Sequence, residues 1–191
     1  MRNKRIYQTL EDRSNPEYIE ENGPFKCKWE NAWLGEGYYF WDTFIENAHW
    51  WGKVRYKNSY VICEGTCNFN TDRCFDLVGE TEHMLEFSEA IDFLKSKNLV
   101  NHNTTVARVL RFFIEKVGFD YDAIRVYGIK SISDYKEEYE EYRFRLIFEI
   151  SKPQYLDYKP AIQICIFNKK GIELSKMKIV YPDEYNMDFL I

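Results

Sequence analysis

The pattern of hydrophobic and polar positions divides the chain into three parts. Two stretches in the middle, 81–97 and 104–117, repeat their apolar residues with the helical period and place them on one face. Near the end, over 142–150, apolar and polar residues alternate as they do in a half-buried strand. Short apolar runs near the start are also strand-like. Strands therefore flank a helical middle, which predicts an α+β fold and disfavours a doubly wound sheet.

Turn and capping signals place two further helices. Pro16 follows a Ser-Asn pair that favours a helix start, and Gly23 predicts the end of that helix. Asp42 is predicted to cap a helix over 43–51, which Gly52 terminates.

The remaining apolar segments are predicted strands in a single domain. No repeat, low-complexity tract or long linker interrupts 1–191. An acidic run at 134–141 is predicted to be a solvated loop or helix face. The predicted strands cover 5–10, 38–41, 60–63, 123–127, 142–150, 162–167 and 172–180.

The composition is that of an ordinary globular domain. Of 191 residues, 45% are hydrophobic and 30% are charged, and the formal net charge is −5. No apolar run approaches the ~20 residues of a membrane-spanning helix. The acidic surplus argues against a sequence-independent nucleic-acid binder. No apolar stretch follows the basic start of the chain, so we expect no signal peptide and a cytoplasmic location.

Five cysteines raise the question of a metal site. Cys63, Cys67 and Cys74 form the densest group, but their spacing matches no zinc motif, and the chain has only three histidines. An odd number of cysteines without an export signal suits a reducing compartment. We therefore expect free thiols and no metal.

The aromatic content is the unusual property of this sequence. It contains no GxGxxG, GxxxxGK[ST], HExxH or GxSxG pattern, but 18% of its residues are aromatic. Gly35 and Gly37 precede a short aromatic strand, and glycine lets a backbone approach a bound group closely. Tyr39 on this strand and Trp50 on the following helix are able to sandwich a flat ring. An aromatic corner of the core explains the same pattern equally simply.

Three motifs in order resemble those of the ADP-ribosyltransferase superfamily, in its branch of poly-ADP-ribose polymerases and diphtheria toxin. GEGYYF (35–40) followed by NAHW (47–50) is similar to the central motif of that branch. RIYQT (5–9) stands in the place of the first strand motif, which usually carries His-Gly-Thr or His-Gln-Thr. QICIFNKKGI (163–172) resembles the third motif, a late strand.

The resemblance implies a split antiparallel β-sandwich with peripheral helices and a cleft that binds NAD as a substrate. The implied reaction breaks the nicotinamide–ribose bond and passes ADP-ribose to an unidentified macromolecular acceptor, which we expect to be a protein. Its transition state resembles an oxocarbenium ion, as in glycoside hydrolysis. The matched residues are Tyr7, Gln8, Thr9, Gly37, Tyr39, Asn47 and Trp50 for binding NAD, with Tyr39 and Gln163 as catalytic residues.

Two residues depart from the family pattern. Tyr7 stands where a His bonds the adenosine ribose, and a phenol can donate or accept in its place. Gln163 stands where the family has its catalytic Glu. An amide can hold a ribose hydroxyl but brings no negative charge to the developing cation, and losing such a charge lowers a rate by orders of magnitude. The resemblance therefore supports NAD binding more firmly than turnover.

Three functions stay open at this point. The first is a mono-ADP-ribosyltransferase, as among the toxins, phage proteins and defence effectors of this superfamily. The second is a catalytically inactive module that binds NAD or ADP-ribose. The third is a small α+β interaction protein whose aromatic residues form its core. The sequence identifies neither the acceptor nor the oligomeric state.

Overall fold

A computed structural model describes residues 2–128, 141–142 and 144–186, and these contain nine strands and four α-helices. The predicted α+β class is confirmed. Most of the acidic run at 134–141 lies outside the described residues. The strands are β1 (Arg2–Glu11), β2 (Tyr38–Asp42), β3 (Tyr60–Phe69), β4 (Cys74–Asp76), β5 (Ala123–Tyr127), β6 (Arg145–Ile147), β7 (Tyr155–Asp157), β8 (Ile162–Ile166) and β9 (Lys178–Tyr181). The helices are α1 (Pro16–Asn22), α2 (Ile45–Tyr56), α3 (Thr81–Ser96) and α4 (Val106–Phe112), the last continued by a π-helical turn over Phe113–Val117.

Seven of these strands form one mixed sheet in the order β4-β5-β8-β2-β1-β3-β9. Only β4 and β5 run parallel, and the other neighbours are antiparallel. β6 and β7 form a separate antiparallel hairpin. The strands of the main sheet are hydrogen-bonded in one continuous series, so the split sandwich implied by the resemblance stays a prediction.

The two faces of the sheet carry different cores. We call the face that carries Tyr7, Trp41 and Gln163 the α2 face, because Ala48 and Trp50 of α2 pack there against Tyr7 and Trp41. The opposite face is lined by aliphatic and aromatic side chains from β1, β2 and β8, and α1 packs on it. Its central residues are Ile6, Phe40, Ile164 and Ile166, with Ile19 from α1.

Helix α2 is longer than the sequence predicts. It runs past Gly52 to Tyr56 and ends at Lys57, whose φ of 51° is left-handed. A Cβ at position 52 would overlap the ring of Tyr60 on β3. Gly52 therefore brings the helix close to the sheet, and the prediction that it ends the helix was wrong.

Asp42 was also assigned the wrong role. The residue before α2 is Phe44, and no side chain caps this helix. The buried carboxylate of Asp42 instead accepts from Lys4 at 3.2 Å and from Arg125 at 2.7 Å. Arg125 also pairs with the buried Asp76 at 3.1 Å. Two cations thus balance two carboxylates on the opposite face.

Several strand predictions need correction. β3 continues from the predicted 60–63 to Phe69 because it pairs with β1 along ten consecutive positions. The predicted strand over 142–150, of which residue 143 lies outside the described residues, is reduced to β6. From Leu146 onward its apolar side chains are exposed instead of half-buried, whereas Phe144 is half-buried. The predicted strand over 172–180 is limited to β9. β4 and β7 have three residues each, and the sequence pattern did not predict either strand.

Candidate functional site

The three strands that carry the family-like motifs are neighbours in the sheet. β2 lies between β1 and β8. Tyr7 is the register partner of Trp41, and Trp41 is the register partner of Gln163. Directly opposed side chains project from the same face of a sheet. The three side chains therefore form one row across the α2 face.

Tyr7 is the most enclosed member of this row. Its side chain is 3% exposed, and Glu64 of β3 lies directly across from it. Burial raises the pKa of the Tyr7 phenol, which keeps it protonated, while a hydrogen bond with Arg5 opposes the shift. The Arg5 Nε lies 3.8 Å from Glu64 Oε1. Tyr7, Arg5 and Glu64 thus form a connected polar group beside the row.

Tyr39 is held in place by the loop that precedes its own strand. Its hydroxyl donates to the Gly35 carbonyl at 2.7 Å and accepts from the Leu34 N–H at 2.9 Å. Burial raises the pKa of this phenol far above its ordinary value. The half-buried ring packs with Leu34 and Cys165. Tyr39 is therefore a neutral, oriented phenol.

Trp50 belongs to a different cluster from Tyr39. It is 5% exposed, and its ring meets Trp41 edge to face with centroids 6.2 Å apart. Trp51 packs against it at 6.1 Å. The structure does not bring Tyr39 and Trp50 face to face, so their stacking on nicotinamide stays a prediction that requires these rings to rearrange.

Gln8 and Gly37 hold the first loop against the sheet. Gln8 is buried on the opposite face, where its amide donates to the Phe25 carbonyl at 2.9 Å and accepts from the Phe25 N–H at 2.8 Å. Gly37 exchanges backbone hydrogen bonds with Cys27 at 2.8 and 3.2 Å. A Cβ at Gly37 would overlap the Cys165 thiol. Both residues have a structural role, and their predicted contact with NAD is untested.

Thr9 and Asn47 position α2. The Thr9 hydroxyl donates to the Ala48 carbonyl at 2.9 Å, which ties α2 to β1. Asn47 is fully buried and donates from Nδ2 to the Pro160 carbonyl at 3.0 Å, next to the strand of Gln163. Its Oδ1 has no hydrogen-bond partner among the residues that the structure describes. Asn47 therefore keeps an unused acceptor near the start of α2.

Gln163 is half-buried and is flanked by β2 and β5. Trp41 lies on one side of it and Val126 on the other. Lys159, four residues earlier, forms an ion pair with Glu46 of α2. The ion pair and the hydrogen bond from Asn47 to Pro160 attach residues 159–160, which directly precede β8, to α2. The Gln163 amide is thus presented from a well-anchored strand.

A cavity of about 460 Å³ opens where β1 starts and β2 ends. Asn3, Lys4, Arg5 and Thr43 line it. Lys4 is tied to Asp42, whereas the Arg5 side chain is largely exposed. Arg5 shares the α2 face with Tyr7, because residues two apart on a strand project the same way. The cavity therefore adjoins the row through Arg5.

Sequence reasoning missed three residues of this site. Trp41, Arg5 and Glu64 all lie on the α2 face, and the pairing of distant strands brings them together there. The sequence contained one local signal for two of them: Arg5 is two residues from Tyr7, and Trp41 is two residues from Tyr39, so each pair shares one face of its strand.

All five cysteines are free. Burial raises the pKa of Cys63 to about 12 and that of Cys67 to about 11, so these thiols are poor nucleophiles at neutral pH. Among the described residues no group of three His, Cys, Asp or Glu side chains is placed to hold a metal ion. None of the described helices is long and apolar enough to cross a membrane.

Comparisons with known proteins add no relative. No protein-family model matches the chain, and no match was found among curated proteins or among solved structures.

Proposed function

We propose that the chain binds NAD on the α2 face, over β1, β2 and β8, and transfers its ADP-ribose part to a macromolecular acceptor. The supporting observation is the row of Tyr7, Trp41 and Gln163. Tyr7 and Gln163 belong to motifs that are far apart in the sequence and that resemble one superfamily, and Trp41 directly follows the motif at 35–40. The strands of these three motifs are neighbours in the sheet, and Tyr39 shares the face of Trp41 by alternation. The split sandwich of that superfamily is part of the same proposal.

The chemistry required of the site is modest. Cleavage of the nicotinamide–ribose bond places positive charge on the ribose, so the site must orient the sugar and let nicotinamide leave. Gln163 has a carbonyl to accept from a ribose hydroxyl and an N–H to donate to one. Tyr7 and Tyr39 are neutral phenols, and neither supplies a negative charge. The proposal therefore predicts slow turnover.

The diphosphate of NAD needs a cationic neighbour, and Arg5 is the candidate. Its exposed guanidinium lies between the row and the cavity of about 460 Å³. Guanidinium groups bind phosphate oxygens through paired, charge-assisted hydrogen bonds. An NAD molecule with its diphosphate on Arg5 directs one end toward Tyr7 and the row.

The decisive experiment measures nicotinamide release from NAD by the wild type and by Gln163→Ala and Gln163→Glu. Gln163→Glu adds the missing charge and should raise NAD hydrolysis, whereas Gln163→Ala should lower it. Gln154→Glu, an exposed change at the hairpin turn, is the matched control and should leave the rate unchanged. Equal rates for all four proteins would contradict a role for Gln163 in turnover.

A second candidate is a catalytically silent NAD-binding module, and the neutral Gln163 favours it. This function predicts no nicotinamide release by the wild type but a higher melting temperature in the presence of NAD, because a ligand that binds only the folded state stabilises it. The absence of both release and stabilisation would exclude both NAD functions. An interaction protein with an aromatic core would then be the remaining explanation.

A further inference from the structure

Glu64 extends the row of the α2 face by one strand. Tyr7 of β1 lies opposite Glu64 of β3, and Glu64 lies opposite Lys178 of β9. Directly opposed side chains project from the same face of a sheet. The α2 face therefore carries a carboxylate on the side of β1 that is remote from Gln163, and the cleavage chemistry proposed for Gln163 does not use it.

Glu64 is accessible to a ligand and is oriented by its neighbours. Its side chain is 33% exposed, and that of Arg5 is 61% exposed. Burial, the charge of Glu64 and a hydrogen bond to Glu64 raise the pKa of the Tyr7 phenol. An ionised carboxylate only accepts hydrogen bonds, so Tyr7 is the donor. A carboxylate has about four acceptor sites, and Tyr7 and Arg5 do not exhaust them.

The order of the strands decides which part of NAD reaches Glu64. Gln163 lies on β8, two strands from β1, whereas Glu64 lies on β3, which borders β1 on the other side. β1 itself carries Arg5, the proposed partner of the diphosphate. With the nicotinamide ribose at Gln163 and the diphosphate at Arg5, the adenosine ribose extends toward β3. A carboxylate at that end meets the two hydroxyls of this ribose.

We infer that Glu64 accepts a hydrogen bond from the 2′-hydroxyl of the adenosine ribose and thereby makes the site specific for NAD over NADP. This inference rests on the proposed NAD function. In dinucleotide-binding sheets of another class, an acidic side chain holds the same hydroxyl, and an arginine accommodates the 2′-phosphate of NADP. Glu64 supplies the acidic group here from a strand that none of the three motifs includes.

Charge sets the direction of the preference. NADP carries a phosphate on this hydroxyl, and a phosphate monoester has about −1.5 to −2 charges at pH 7. Beside Glu64 the phosphate meets a like charge, and the hydroxyl that would donate to the carboxylate is gone. Two cations, Arg5 and Lys178, flank Glu64 on the same face. Without the Glu64 carboxylate, these cations would favour the 2′-phosphate.

Calorimetric titration of the full chain with NAD and with NADP tests the preference. The wild type should bind NAD about tenfold or more tighter than NADP, which is the scale of one charge-assisted hydrogen bond. Glu64→Gln keeps the shape and removes the charge, so it should lower this ratio by about tenfold, chiefly through tighter binding of NADP. Adding Lys178→Gln to Glu64→Gln should reverse part of that gain. Glu17→Gln, which removes the same charge from α1 on the opposite face, is the control and should keep the wild-type ratio.

A ligand without the 2′-hydroxyl tests the hydrogen bond itself. NAD that contains 2′-deoxyadenosine should bind the wild type about tenfold more weakly than NAD does, whereas Glu64→Ala should bind the two ligands alike. A loss of folded protein changes both affinities together and leaves their ratio unchanged.

The outcomes separate this inference from the NAD function on which it rests. A wild type that binds NADP as tightly as NAD, or a Glu64→Gln variant with an unchanged ratio, would overturn the role of Glu64 and leave NAD binding intact. A wild type that binds neither dinucleotide would overturn the NAD function and the role of Glu64 with it.

Discussion

Arg125 reaches across β8 to donate from Nε to Asp42 Oδ2 at 2.7 Å. Both side chains are largely enclosed, and Phe69 covers the guanidinium at 5.7 Å. β5 and β2 are therefore joined over the top of β8 by a pair of opposite charges. This contact fixes the strands on both sides of the one that carries Gln163.

Asp42→Asn should strongly destabilise the fold. Removing one partner of a buried ion pair leaves the other charge uncompensated, which costs about 3–5 kcal/mol. Urea denaturation followed by circular dichroism measures the change. Asp92→Asn is the control, since its pair with Lys95 on α3 is exposed, and such a pair contributes about 0–1 kcal/mol. Equal losses for the two variants would contradict a structural role for the Asp42–Arg125 pair.

Gly52→Ala should destabilise the protein although alanine is the better helix former. Intrinsic propensity favours alanine by about 1 kcal/mol. The new methyl group, however, would overlap the buried Tyr60 ring, and overpacking costs about 1–3 kcal/mol. The change in melting temperature of Gly52→Ala shows whether the overpacking cost exceeds the gain in helix propensity. Gly128→Ala, where a Cβ meets no atom of the described residues within 4 Å, should be neutral, and a stabilised Gly52→Ala would disprove the close packing of α2.

His49 should make part of the stability depend on pH. Its Nδ1 lies 3.0 Å from the Tyr60 hydroxyl, and burial lowers its pKa below the ordinary 6.5. Below pH 6.5 the unfolded chain therefore binds more protons at His49 than the folded chain does. The contribution of His49 to the free energy of unfolding is fully present above pH 6.5 and is lost as pH falls through the folded-state pKa.

Unfolding free energies measured between about pH 8 and about pH 5 test this statement. His49→Gln should flatten the decline over that window. The exposed His102→Gln should leave its slope unchanged. An unaltered slope in His49→Gln would assign the pH dependence to other groups.

Arg5→Gln should separate the binding of NAD from that of nicotinamide. A hydrogen bond to a charged group contributes about 1.5–3 kcal/mol, so NAD affinity should fall by about tenfold to a hundredfold. Nicotinamide has no phosphate, and its affinity should hold. Calorimetric titration compares the two ligands. Arg13→Gln, whose guanidinium pairs with Glu11, is the control, and a parallel loss of both ligands would remove Arg5 from the diphosphate.

Local signals in the sequence sufficed for elements that depend on local physics. Pro16 and the helical period predicted α1 and α3 almost to the residue. The alternation over 142–150 was genuine, but alternation does not say what covers the apolar side chains. In the structure nothing within the described chain encloses Phe148. That part of the prediction failed because burial is a tertiary property.

The errors at Gly52 and Asp42 have the same origin. Glycine often ends a helix, so Gly52 predicted a helix end. In the structure Gly52 instead leaves room for the ring of Tyr60, eight residues later. Asp42 is of a residue type that favours helix caps, yet it ends β2 and its partners come from positions 4 and 125. In the candidate site, motifs selected Tyr7 and Gln163, while Trp41 and Glu64 became visible only through strand register.

The anchoring of Tyr39 by its own loop makes the loop a built-in reporter. Its phenol oxygen accepts the Leu34 N–H, and the same hydroxyl donates to Gly35. Any displacement of the ring breaks the first bond and exposes one backbone amide to solvent. The hydrogen-exchange rate of the Leu34 amide consequently reports the position of the Tyr39 ring, without a substitution or an attached probe. A molecule that presses the ring into place will slow that exchange, and one that turns it outward will accelerate it.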